Sequence, residues 1–366
     1  MTDFTVKEAA KMSDIMTLRG TELLRELSLT FGPSGCEDPV ADLIVKIVSP
    51  LADEVIRDRA GSVIALLRGT GEGFSVRRMM FSAHMDEVGF MVSSVEDDGT
   101  LKMAPLSARD PKILAGQYVT VGDGRRQVNG CVGMVPVHLS EGKEMPAYRE
   151  LYIDVGASSR EEAEKLVKKG DFGTFRSDFV RFGQNGRMLK GKAIDDRLGC
   201  TVLIDTLRTL AESGERLPYD TYFAFTCREE LGISGAACAA NLIRPSHAVV
   251  FEATAVADVD GTPETQRVAE QGRGGAVSLA DRGTVYDRDF ARFIIDTAEK
   301  NSIPCQVKKF VSGGNDSSKI QRAAEGARVA AISAPARYIH TASNVIREDD
   351  LLSIERLAEA LLRALA

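Results

Sequence analysis

Short apolar runs of strand length alternate with amphipathic helical stretches at both ends of the 366-residue chain, and a block between residues 88 and 187 breaks that alternation. Strands and helices that alternate in this way bury both faces of a sheet, which is the signature of an α/β layer fold. The spacing predicts helices over 20–30 and 38–51, then strands over 62–67 and 78–82. After residue 190 it predicts helices over 198–211, 233–242 and 287–301, interleaved with strands over 221–226, 248–251 and a last one at 328–333. A final helix carries Leu351, Ile354, Leu357, Leu361 and Leu365 on one stripe, with Asp349 or Asp350 as its expected cap. The interrupting block holds short β-like runs such as GFMVSSV and GCVGMVPVH between glycine-rich turns. It also holds one helix that opens at Ser159, with Glu162 completing a capping box. The expected organisation is an α/β domain whose first part spans 1–87 and whose second spans 188–366, with a small β-rich domain inserted over 88–187.

Composition excludes several functional classes. The chain is 44% apolar and 27% charged, which fits a globular protein and rules out a disordered or fibrous one. No apolar run approaches the roughly 18 residues of a membrane span, so no membrane partner is expected. The first twenty residues mix both charge signs and lack an apolar stretch, so no secretory signal is visible. A net charge of −7, from 46 Lys and Arg against 53 Asp and Glu, argues against a nucleic-acid partner. The six cysteines are scattered without a CxxC pair and read as reduced thiols of a cytoplasmic protein.

The sharpest chemical signal is the scarcity of histidine. Only four are present, and two of them, His84 and His340, follow apolar strands. In an open α/β sheet, ligands collect at the carboxyl ends of strands. Several predicted strands here end on ionisable groups: His84 with Asp86, the pair Glu229 and Glu230, Glu252, and His340 a few residues on. Asp195 and Asp196 add a carboxylate pair just before a helix. Mixed His and carboxylate donors suit first-row divalent ions, zinc first, and cobalt or manganese on the same donors. Two such ions carry four positive charges, which Asp195, Glu230, Glu252 and one hydroxide balance, as a buried cluster requires. Asp86 suits the role of holding the far nitrogen of His84, and Glu229 that of a general base. His138 and His247 read as structural.

The runs Ala83-His84-Met85-Asp86-Glu87-Val88-Gly89-Phe90, Ile194-Asp195-Asp196-Arg197-Leu198-Gly199 and Glu229-Glu230-Leu231-Gly232 occur in this order. With Gly32-Pro33-Ser34-Gly35 before them, and Gly313-Gly314-Asn315-Asp316 and Pro335-Ala336-Arg337-Tyr338-Ile339-His340-Thr341 after, the chain resembles the tetrahedral metallo-aminopeptidases. That resemblance implies a three-layer α/β/α peptidase domain interrupted by a small β-rich dimerisation domain. It implies two divalent ions per subunit, one held by His84, Asp195 and Glu252 and the other by Asp195, Glu230 and His340. Glu229 would be the general base and Asp86 would orient His84. Short peptides would lose their N-terminal residues inside a homo-oligomer of dimers built into a dodecamer. Two departures stand out. Glu252 occupies a position where the family carries Asp, and Asp258 is the acid expected to compensate; Asn315 replaces a Thr beside Asp316. Arg337 is open to two readings, a substrate carboxylate contact or a structural role. Paired carboxylates without metal would instead suit a glycoside hydrolase, although that leaves the histidines unused and aromatics are only 6%. A third possibility is a self-assembling peptide binder that has lost its chemistry.

Overall fold

The computed structural model describes residues 15–71, 78–107, 110–139 and 146–366, so most of the N-terminal stretch read for a secretory signal lies outside it. The chain opens with α1 (Gly20–Leu29), α2 (Asp38–Val48), β1 (Glu54–Arg57), β2 (Val63–Leu67) and β3 (Arg78–His84). It continues through β4 (Phe90–Val95), β5 (Leu101–Pro105), α3 (Pro111–Leu114), β6 (Tyr118–Gly122), β7 (Gln127–Gly133), β8 (Tyr152–Asp154), α4 (Arg160–Leu166) and β9 (Phe172–Phe175). Next come β10 (Val180–Phe182), β11 (Met188–Gly191), α5 (Ile194–Ser213), β12 (Asp220–Thr226), α6 (Ser234–Ile243) and β13 (His247–Ala255). The chain closes with β14 (Gly275–Val277), α7 (Arg288–Lys300), β15 (Cys305–Val307), α8 (Ser317–Ile320), β16 (Arg328–Ala336), β17 (Asn344–Arg347) and α9 (Glu348–Leu365).

The main sheet has eight strands in the order β1-β2-β12-β3-β13-β16-β14-β15. Its centre, β12-β3-β13-β16, is parallel, so those four strands end on one edge. Their apolar residues alternate between two cores, as a sheet covered on both faces requires. Phe81, Phe223, Phe251 and Ile332 point into the larger core with α1, α2, α5, α7 and α9. Met80, Ala224, Val250 and Ala331 point to the other side, onto α6 and α8. Phe81 packs edge-on against Phe251 and Phe223, with ring centroids 5.0 and 6.0 Å apart. The three layers that the family resemblance implies are therefore present.

Between β3 and α5 the chain closes a separate six-stranded barrel, β4-β5-β8-β7-β6-β9, around Phe90, Val92, Leu101, Val119, Ile153 and Phe175. A three-stranded sheet, β10-β11-β17, lies beside the return from the barrel.

Several local expectations change. The strand expected at 248–251 runs on to Ala255, carrying Glu252 inside it, and the strand at 328–333 runs on to Ala336. It is not the last strand, because β17 follows and pairs with β11. Neither Asp349 nor Asp350 caps α9. The cap residue is Arg347, and the Asp350 carboxylate accepts the amides of Gly272 and Gly274 at 2.8 and 2.7 Å. Ser159 does cap α4, but Glu162 takes the amide of Ser158 instead of that of Ser159.

Candidate metal centre

Two strands, two loops and the opening turn of a helix bring the candidate residues together. Residues 226 and 84 pair in the β12–β3 register, and 250 pairs with 82 between β13 and β3, so His84 and Glu252 lie at one level on the carboxyl edge. The loop leaving β12 carries Glu229 and Glu230 over the same edge. His340 comes from the loop between β16 and β17, and Asp195 from the non-helical opening of α5, just after β11. Pairing of Gly191 with Asn344 places those two segments side by side. Asn344 fastens them, accepting the Asp195 amide through Oδ1 at 3.4 Å and donating from Nδ2 to the carbonyl of Thr341 at 2.9 Å.

The donors form two groups that share one residue. His84 Nε2 lies 3.4 Å from Asp195 Oδ1 and 3.4 Å from Glu252 Oε1. His340 Nε2 lies 3.2 Å from Asp195 Oδ2 and 3.3 Å from Glu230 Oε1. Each set of three offers one donor atom per residue within 4.8 Å of the others, and Asp195 belongs to both. Two donors on one tetrahedral zinc, with bonds of about 2.0–2.1 Å, stand roughly 3.3 Å apart. The separations fit that spacing.

The electrostatics fit as well. Burial pushes the Glu252 carboxyl up to about 8 and that of Glu230 up to about 7, with Asp195 adding to both. Burial also lifts Glu229 and Asp196 well above the carboxylate range. Among the donor carboxylates Asp195 alone is held low: burial would raise it, but His340 and His84 outweigh that cost. Burial disfavours charge on both imidazoles, yet the surrounding carboxylates raise His84 well above its ordinary value and His340 to about 9. Glu230 Oε1 is buried without a hydrogen-bond donor. A concentration of acidic donors with an orphaned oxygen is what cations would relieve.

Asp86 is completely buried and does more than the sequence suggested. His84 Nδ1 lies 3.1 Å from the backbone carbonyl of Asp86 and 3.5 Å from its carboxylate, which turns Nε2 toward the donor cluster. The carboxylate itself accepts the amides of Glu229 and Glu230 at 2.9 and 3.1 Å and the hydroxyl of Ser34 at 2.5 Å. One side chain thus positions the histidine and the acidic loop together. Glu229 belongs to neither donor group but lines the same pocket of about 600 Å³.

Sequence reasoning missed the supports behind this edge. Arg197 is fully buried and donates to the carbonyls of Met85, Leu27, Thr30 and Gly32. Gly32 is obligatory there, since a Cβ would lie 2.5 Å from Val40 and 2.7 Å from the Arg197 guanidinium. Glu87 accepts Lys192 Nζ at 2.5 Å and Thr174 of the barrel at 2.9 Å, joining barrel to sheet. The motif runs containing Gly32 and Glu87 were the available signal. Asp258 does not join the donors: Arg337 holds it through two hydrogen bonds of 2.7 Å, which also gives Arg337 its partner. Asn315 bonds Tyr286 and the Ser317 amide, while Asp316 is buried and accepts the Thr226 hydroxyl at 2.5 Å. His247 opens β13, stacked edge-on against Phe290, and His138 is exposed on the barrel loop.

The fold and the acidic edge of its sheet define a peptidase of the aminopeptidase class. Residues 61–357 match the M42 glutamyl aminopeptidase family, and the chain belongs to it. A lysyl aminopeptidase of Pyrococcus furiosus is 31% identical over 351 residues, covering 94% of this chain and 97% of its own. A TET aminopeptidase structure from the archaeon Thaumarchaeota SCGC AB-539-E09 superimposes with a TM-score of 0.88 at 33% identity, covering 93% and 95% of the two chains. The Pyrococcus horikoshii TET1 peptidase, described as assembling into a tetrahedron or a large octahedral shell, superimposes with a TM-score of 0.82 at 32% identity, covering 93% and 98%.

Proposed function

We propose that this aminopeptidase uses two divalent cations, one held by His84, Asp195 and Glu252 and the other by Asp195, Glu230 and His340, to remove N-terminal residues from short peptides. What supports this reading is the sharing of Asp195 between two donor sets at tetrahedral spacing. When bound, such a pair polarises the scissile carbonyl and brings a water molecule to useful acidity near neutral pH; zinc suits the donors best, with cobalt or manganese as alternatives. Glu229 is free of both donor sets and takes the proton from water at a carboxylate oxygen. It returns that proton to the departing amine. Asp86 keeps Glu229 in place through its amide and turns His84 through Nδ1, so its part is positioning.

Residues 88–187 act in this reading as an inserted dimerisation domain between 1–87 and 188–366, and the dimers build a dodecamer. Support comes from a relative solved as a dodecamer and from the barrel that lies within that span. A cytoplasmic location suits six cysteines that are all unpaired. The glycoside hydrolase alternative is not favoured: the acids lie against two imidazoles at the sheet edge, and that chemistry gives the imidazoles no part.

The test is release of chromophore from a panel of aminoacyl anilides, with chelator and with re-added metals. Turnover lost to chelator and restored by zinc, cobalt or manganese is expected; turnover indifferent to chelator would refute the proposal.

A further inference from the structure

Three consecutive amides lead the chain from β12 into the acidic loop, and each ends on a buried carboxylate. Glu229 and Glu230 give theirs to Asp86. The amide before them, that of Arg228, goes to Glu37 Oε1 at 3.0 Å. The same oxygen accepts the Gly35 amide at 2.8 Å. Glu37 is only 7% exposed. Among the described residues it belongs to neither donor set and does not line the pocket.

Glu37 stands on a firm base. It immediately precedes α2, and its carbonyl accepts the amides of Val40 and Ala41, both at 2.9 Å. The turn before it is tied to the end of β3. There the Ser34 amide meets the Glu87 carbonyl at 3.1 Å, and the Glu87 amide meets the Gly32 carbonyl at 3.1 Å. The turn also packs on the barrel, where a Cβ at Gly35 would lie 3.0 Å from Phe172. Ser34 gives its hydroxyl to Asp86, so one braced turn serves both carboxylates.

The amide that Glu37 takes lies where the chain bends. Arg228 has a φ of +55°, in the left-handed region that L side chains seldom adopt. Beyond it the amides of Gly232 and Ile233 close on the Glu229 carbonyl at 3.1 and 3.0 Å, and α6 begins at Ser234. The direction of Glu229 and Glu230 therefore follows from the bend at Arg228. A change there moves the general base and a candidate metal ligand together, and a displacement of about 1 Å can cost about 10²-fold in rate. Burial, and then the charge of Asp86, raises the Glu37 carboxyl, while the Gly35 and Arg228 amides lower it.

We infer that Glu37 is a positioning residue for the reaction: by holding the Arg228 amide it fixes the left-handed bend that aims Glu229 and Glu230 at the centre. This rests on the aminopeptidase reading above. The role requires reach and an acceptor oxygen, and it does not require charge.

The experiment sets three variants against the wild type. Glu37→Gln keeps reach and an acceptor oxygen, Glu37→Asp keeps charge but falls a methylene short, and Glu37→Ala removes both. Each is zinc-loaded and assayed on the aminoacyl anilide that the wild type cleaves fastest. In Glu37→Asp and Glu37→Ala, kcat of the folded protein is expected to fall about 10–100-fold, with KM changed less than about threefold. The zinc beside Glu230 should bind about tenfold more weakly in both, read by titration calorimetry. Glu37→Gln should keep kcat within about threefold of wild type. Hydrogen–deuterium exchange of the metal-free proteins reads the loop itself. Exchange over residues 228–233 should quicken about tenfold in Glu37→Asp and Glu37→Ala, with α2 unchanged and Glu37→Gln like wild type. A kcat in Glu37→Asp within about twofold of wild type, or an equal loss in Glu37→Gln, overturns the inference. So does a lowered melting temperature with no local change in exchange. If Glu37→Ala does not fold, the Gln and Asp variants decide. If the wild type cleaves no substrate, the aminopeptidase reading fails first. The exchange comparison then decides alone: quickening confined to 228–233 sustains the hold of Glu37 on the bend, and unchanged exchange refutes it.

Discussion

The barrel and the main sheet treat buried charge in opposite ways. Around the barrel core the buried side chains are aliphatic or aromatic, and within 90–175 the buried polar residue among the described ones is Thr174, which serves the joint to Glu87. At the carboxyl edge of the sheet, His84, Asp86, Asp195, Asp196, Glu252 and Asp316 are all buried within one region. Interiors tolerate such a concentration only when partners or cations compensate it. The contrast separates a part built for packing from a part that gives up stability to hold reactive groups.

Breaking the acidic edge should have the largest effect. Asp195→Asn removes the carboxylate common to both donor sets, so metal content measured by elemental analysis should collapse and peptide turnover fall below detection. Glu229→Gln should be milder and different in kind. Metal content is retained while kcat falls by about 10²–10⁴-fold; an unchanged kcat in metal-replete protein would remove Glu229 from its role.

The barrel should respond in the other currency. Phe90→Ala should lower the unfolding free energy by about 3–5 kcal/mol, read by denaturant titration, with metal content and kcat of the folded fraction preserved. Loss of metal in that variant would mean that the two regions are not separable. Between them lies Glu87→Gln, which leaves Lys192 buried without its counter-charge and should cost about 3–5 kcal/mol by the same measurement.

The smallest effect sharpens the comparison through pH. His340, Glu230 and Glu252 all titrate above their ordinary values in the fold, His340 at about 9, Glu252 at about 8 and Glu230 at about 7. The native state therefore holds more protons than the unfolded one, and stability falls as pH rises. For the carboxyls the contribution is complete below about 4.5 and lost as pH climbs through about 7 and 8; for His340 it is complete below about 6.5 and lost through about 9. The melting temperature of chelator-treated protein should decline across that window, and added zinc should reverse the decline. A chelated protein whose melting temperature rises from pH 5 to 9 would contradict the charge balance assigned to this edge.

How much of this was readable from the sequence follows from which interactions are local. Apolar runs ending at His84 and Thr226 announce strands on their own, so the sheet and the neighbourhood of the acids were legible. His340 was joined to Asp195 and Glu230 by the family resemblance and not by spacing, because its position depends on pairing between β11 and the four-residue β17, which no periodicity reveals. Asp350 looked like a helix cap because it stands where caps stand, yet its carboxylate is drawn to two amides nearly 80 residues away. Arg337 and Asp258, 79 residues apart, read as a possible substrate contact and a spare ligand until they are seen to satisfy each other. Glu87 sat in a recognised run, but its work joins Lys192 and Thr174, and contacts of that range leave no trace in spacing.

The most direct test of the account is the metal stoichiometry of purified protein after zinc loading, wild type against His340→Ala, with the ions located by anomalous diffraction. Two ions on opposite sides of Asp195 in the wild type, and the one beside Glu230 lost in the variant, is the predicted result. Ions bound elsewhere on the molecule, or an occupancy that the substitution leaves unchanged, would contradict it.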